Sequence, residues 1–175
     1  MNGPFDALAE LVARSEIQQL AYRYSAALEN RDVEAMVDLF VPHARYGSYG
    51  VGPDALRRLT AESLAGSHMA VVLVANHLIE FQSTTSATGQ VWARCYAQSD
   101  GDGYVEQLLR YEDCYELFEG TWRFLHRKHR LWFGIGSASS PLDQEPANWP
   151  QQQVGIGDIP FENPAFLRWW QNRHR

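Results

Sequence analysis

Apolar residues recur at helical spacing through the first part of the chain and at strand spacing from residue 67 onward. Phe5, Leu8, Leu11 and Val12 open the helical pattern. After Ser15, a candidate N-cap, Ile17, Leu20, Tyr24, Ala27 and Leu28 continue it as a helix with one apolar stripe. Asn30 or Asp32 is placed to restart a short helix that buries Val33, Met36, Val37 and Phe40, and Pro42 closes it. The segment ARYGSYGVG reads as a short strand, carrying Tyr46, that runs into a glycine turn. Pro53 opens a further helix, DALRRLTAESLAG, which ends at Gly66 in the usual C-terminal position.

Four β-rich stretches follow: MAVVLVANHLIEF, TGQVWARCYAQ, YVEQLLRYEDCYELF and TWRFLHRKHRLWFG. The turn SDGDG separates the second from the third, and Glu119-Gly120 the third from the fourth. Helices first and antiparallel strands afterwards predict an α+β domain. Residues 136–165 are rich in Pro, Gly, Ser and Gln, which predicts an irregular extension rather than a second domain. The expected organisation is a domain over 1–135 and an extension over 136–175. The closing AFLRWWQNRHR gathers Phe166, Leu167, Trp169 and Trp170, a cluster expected to dock on its own domain or on a neighbouring subunit.

Composition narrows the class. At 175 residues, 45% hydrophobic and 13% aromatic, the chain fits one compact domain with a substantial core. A net charge of −6 gives no electrostatic footprint for nucleic acid. The basic run HRKHR at 126–130 falls on a strand, where alternate side chains face opposite ways, and is expected to be a solvated sheet face. Cys95 and Cys114 form neither a disulfide framework nor a zinc motif. The N-terminus has no signal-peptide pattern, and no apolar run approaches membrane-spanning length, so a cytoplasmic protein without a membrane partner is expected. His126 and His129 are three apart on a strand and face opposite ways, while His43, His68 and His174 lack ligand-spaced partners, so no metal is expected. GIGS follows a strand but opens no helix, so it is not a dinucleotide loop. No cofactor is expected.

The wording of EIQQLAYRYSAALENRD with its following LF, of NHLIEF, and of RYEDCYELFEGTWRFLHRKHRLWF resembles the SnoaL-like branch of the nuclear-transport-factor-2-like superfamily. The resemblance covers roughly residues 14–135 and rests on the ordered combination of segments. It implies a cone-shaped α+β barrel: a strongly curved sheet wrapped by the N-terminal helices around one deep pocket. Within that superfamily the chain looks most like scytalone dehydratases, bile-acid 7α-dehydratases and hexachlorocyclohexane dehydrochlorinases. These pair an acidic residue at the end of the first helix with a histidine on a sheet strand. The matching positions here are Glu29, where those enzymes carry Asp, and His77. Pocket tyrosines of the family match Tyr24 and Tyr46. The groups that define each known substrate do not carry over: Val91, Arg94 or Cys95, and Leu117 or Phe118 stand at those positions.

The resemblance therefore implies a cofactor-independent lyase, dehydratase-like, or an isomerase or cyclase, acting by general acid–base proton transfer. Its substrate would be a small hydrophobic molecule, aromatic or polycyclic. In that chemistry Glu29 orients His77, which takes a proton from substrate carbon, while Tyr24 and Tyr46 hydrogen-bond a carbonyl or departing hydroxyl. Trp92, Arg94, Tyr96 and Tyr111 are the candidate substrate-binding residues. The same residues admit plainer roles. His77 can be a hydrogen-bonded core histidine, Glu29 a solvated helix end beside Arg31 or Arg23, Tyr24 a core aromatic, and Arg94 an exposed strand residue. The superfamily also holds small-ligand binders and assembly subunits, such as the β subunits of ring-hydroxylating dioxygenases. A homodimer or homotrimer through the outer sheet face is the implied assembly.

Overall fold

A computed structural model describes residues 6–100 and 103–173. The N-terminal apolar pattern forms one helix rather than two. Helix α1 (Ala7–Glu29) passes Ser15 without a break, and its N-cap is Asp6, whose carboxylate accepts from the N–H groups of Leu8 and Ala9. The first members of the stripe stay outside: Leu8, Leu11 and Val12 are exposed, and burial starts at Ala13 and Ile17. Phe5 lies outside the described residues. Helix α2 (Val33–Asp38) starts on Asp32, which caps the N–H of Ala35. Tyr46 stands at the lip of a 3-10 turn (Gly47–Tyr49) beside a single bridge between Arg45 and Val51, not on a regular strand. Helix α3 (Pro53–Ala65) has its proline in the first turn and Gly66 at its C-cap.

Strands β1 (Ser67–Phe81), β2 (Ser86–Ser99), β3 (Tyr104–Phe118) and β4 (Thr121–Ser137) form one open antiparallel sheet in chain order. Glu119 and Gly120 both take positive φ, 49° and 78°, which suits a tight turn matched to strand twist. Part of the SDGDG turn, residues 101 and 102, lies outside the described residues.

Two irregularities decide which side chains face α1. In β1, Val74 pairs with Ala93 and His77 with Val91, so Ala75 and Asn76 together oppose Trp92. In β4, Phe124 pairs with Tyr115 and His126 with Cys114, leaving Leu125 as the extra residue. Each bulge resets the alternation of its strand. Val72 and Val74 face inward before the first bulge, His77 and Ile79 after it; Trp122 and Phe124 face inward before the second, Arg127 after it.

The core lies between the sheet's inner face and the helices. Ile17 and Leu20 of α1, Met36 and Val37 of α2 and Leu56 of α3 pack with Ile79, Tyr115, Trp122 and Phe124. Ala21 packs with Val72, Val91, Leu109 and Tyr111. The C-terminal extension is less irregular than its Pro and Gly content predicts, because it ends in helix α4 (Pro164–Arg173). Phe166, Trp169 and Ile156 bury themselves with Met69 of β1, His68 stacks on Trp169, and Asn163 donates to the carbonyl of Glu29 at 3.2 Å. On the outer face Trp92 meets Trp132 at 5.7 Å between ring centroids. Among the described residues no helix is long and apolar enough to cross a membrane.

Candidate active site

Helices α1, α2 and α3, the Tyr46 turn and strand β4 enclose a cavity of about 390 Å³. Its wall is mostly apolar, from Leu28, Met36, Phe40, Leu56, Leu59 and Leu64. The polar groups are few and chemically distinct: Tyr24, Arg45, Tyr46, Thr60, Ser63, His126 and Arg127. Neither the Tyr24 nor the Tyr46 hydroxyl bonds to another described residue, so both are available to a bound molecule. Burial raises the pKa of each phenol; for Tyr24, Arg127 partly opposes the rise and Asp113 adds to it. Both are neutral donors across the ordinary pH range.

Arg127 is the hinge between this cavity and a buried polar chain. Its Nε and Nη2 donate to the two carboxylate oxygens of Asp113 at 2.9 and 2.7 Å, and its side chain is 4% exposed. The guanidinium lies 4.4, 4.2 and 4.3 Å from the ring centroids of Tyr24, Tyr111 and Phe124, a favourable environment for a delocalised cation. Removing one partner from a buried ion pair costs about 3–5 kcal/mol, so Arg127 and Asp113 hold each other in place.

Asp113 continues the chain inward. Tyr115 donates to its Oδ2 at 2.7 Å, and His77 Nε2 lies 2.9 Å from the Tyr115 hydroxyl. An ionised carboxylate only accepts, so the Tyr115 proton points at Asp113. The phenol oxygen must then accept from His77 Nε2–H, which places the lone pair of the neutral ring on Nδ1. That nitrogen is buried without a partner. Burial pulls the His77 pKa down to about 4, with Asp113 opposing the shift and Arg127 adding to it. Gly89 makes the chain possible: a Cβ there would stand 2.9 Å from both Tyr115 Cε2 and the Leu78 carbonyl.

The geometry separates residues expected to work together. His77 takes Tyr115 as its partner, not Glu29, because Glu29 points to solvent at the end of α1 while the β1 bulge turns His77 onto the sheet's inner face. Tyr24 and Tyr46 do share the cavity, but His77 does not line it. Trp92, Arg94 and Tyr96 are not cavity residues: β2 buries Val91 and Ala93, so its even-numbered neighbours face outward, where Arg94 pairs with Glu106. Tyr111 is inside but packed under Arg127. The basic run 126–130 is not uniformly solvated either, since the β4 bulge turns Arg127 in. Arg127 escaped notice in the sequence because its inward placement depends on the β4 bulge, which alternation does not reveal; Asp113 and Tyr115 follow the uninterrupted alternation of β3 with Leu109 and Tyr111, a signal that was available. His126 and Arg45 carried no spacing signal at all.

A family profile for the SnoaL-like domain matches residues 9–128. No curated protein matches the chain. Solved structures of the same fold include a scytalone dehydratase-like protein from Novosphingobium aromaticivorans, 19% identical, covering 77% of this chain and 94% of the other at a TM-score of 0.67. They also include a hexachlorocyclohexane dehydrochlorinase, LinA-type3 from Novosphingobium barchaimii, 19% identical, covering 77% and 97% at a TM-score of 0.70.

Proposed function

This chain belongs to the SnoaL-like domain family, with the nuclear-transport-factor-2-like fold, and we propose that it is a cofactor-independent lyase or isomerase working in the cone cavity. Its substrate is a small, largely apolar molecule bearing a carbonyl or hydroxyl oxygen. One observation carries the reading: two unpartnered phenol hydroxyls, a fixed guanidinium and one imidazole converge on an otherwise apolar cavity of about 390 Å³. Such pockets, apolar with a few placed polar groups, are the usual form of small-molecule sites.

His126 is the imidazole among the lining groups and is the base in this reading, since the other titratable lining groups are phenols and guanidinium ions. In a dehydration it removes the proton next to a substrate carbonyl, and that electron pair becomes the new double bond. The departing hydroxide then takes the proton back from the imidazolium and leaves as water. Tyr24 and Tyr46 donate to the oxygen on which negative charge develops.

A second reading, a non-catalytic small-ligand binder, is favoured by the separation of Glu29 from His77, which leaves the cavity without a carboxylate–histidine pair. The test is a panel of aromatic β-hydroxy ketones, both neutral and carboxylate-bearing, followed for water loss by mass spectrometry. Wild type should turn over at least one member, and His126→Ala should lower that rate about 10²–10⁴-fold. Binding with equal background rates in both proteins would leave the binder reading.

A further inference from the structure

We infer that the cavity takes an anion: a monocarboxylate with an apolar body. The inference rests on the cavity being the ligand site and specifies its substrate class. No aspartate or glutamate lines the cavity, although the chain carries a net charge of −6. Two arginines do line it. Arg127 is neutralised by Asp113, whose carboxylate engages two of its three nitrogens. Arg45 is different. It follows the buried Ala44, bridges to Val51 through its backbone, and makes no ion pair or side-chain hydrogen bond with another described residue.

Several arginines of this protein find carboxylates: Arg57 has Glu34 and Asp54, Arg94 has Glu106, Arg130 has Glu112 and Arg173 has Asp143, whereas Arg58 donates to the Tyr49 carbonyl and Arg23 and Arg168 on the outer surface form no ion pair with another described residue. Of the two arginines that line the cavity, Arg45 is the one without a carboxylate among the described residues. A single unbalanced guanidinium at the lip matches a single negative charge, and its planar fork fits a carboxylate in two parallel bonds. A doubly charged phosphate ester would leave one charge uncompensated against Leu56, Leu59 and Leu64. The apolar body of the ligand would lie along those leucines, with the Tyr24 and Tyr46 hydroxyls within its polar reach.

The test compares 1-naphthoate with its neutral isostere 1-naphthamide by titration calorimetry on the full chain. Naphthoate should bind about tenfold more tightly, and the gap should shrink at roughly 0.5 M salt. Arg45→Gln, an exposed substitution checked for folding by circular dichroism, should abolish the gap and leave naphthamide binding unchanged. Equal affinities in wild type, or a gap that survives Arg45→Gln, would overturn the inference while leaving the cavity as the ligand site. Failure of both probes to bind would overturn the inference and the cavity reading together. Tight naphthoate binding in a protein inert on every hydroxy ketone would remove only the enzymatic reading.

Discussion

At the scale of single residues, His77 is the position where sequence and structure part company. Its neighbours in the sequence suggest a catalytic histidine, and its neighbours in space make it the end of a hydrogen-bonded chain through Tyr115 and Asp113 to Arg127. The chain fixes a testable protonation state. A depressed folded pKa means that folding favours the neutral ring, so its contribution is complete above the unfolded value of 6.5 and is lost as pH falls toward about 4. NMR titration of the ring should give a midpoint near 4, and His77→Gln should flatten the loss of urea stability between pH 6.5 and pH 4. A midpoint at or above 6.5 would show that the ring is solvated and the chain is not formed. Tyr24 and Tyr46 were singled out through the resemblance; both line the cavity, Tyr24 from α1 and Tyr46 from a turn where a strand was expected. Glu29 was misplaced because one methylene and a helix C-terminus leave its side chain free to take the solvent side.

At the scale of elements, the strands were legible in extent and order but not in phase. Uninterrupted alternation, started from Trp122 and Phe124, would bury His126 and Lys128; the extra Leu125 buries Arg127 instead and leaves His126 exposed, where it lines the cavity from its solvent side. No local residue marks that bulge, because Leu125 is as ordinary in a strand as its neighbours. Gly89 is the one element-level signal that was available. A glycine inside a β-rich run often marks a close approach, here of Tyr115 from the paired strand. Gly89→Ala should therefore cost about 1–3 kcal/mol in urea unfolding, since the added methyl meets a backbone carbonyl as well as a ring. It should also shift the His77 titration, because the ring it displaces carries the hydroxyl that His77 holds. A neutral substitution would mean that Tyr115 moves aside at little cost.

At the scale of the whole molecule, the helices-then-strands order specified the α+β cone, since each amphipathic face has only the other to cover it. The extension was the least legible part. Residues 138–163, between β4 and α4, do lack regular strands, but α4 brings Phe166 and Trp169 onto β1, and Asn163 just before it reaches the end of α1. Trp169→Ala should lower unfolding free energy by about 3–5 kcal/mol, as expected for a buried ring, and should uncover His68 and Met69. An unchanged denaturation midpoint would mean that the extension is not an integral part of the cone.

The same packing distributes the six tryptophans usefully. Trp122 is sealed in the core, Trp169 and Trp170 belong to the extension, Trp92 and Trp132 meet on the outer sheet face, and Trp149 is exposed in the irregular segment. Intrinsic fluorescence is thereby a three-region readout. Red shift and acrylamide quenching of single-tryptophan variants would show whether extension, outer face and core melt together or in sequence, with no added label.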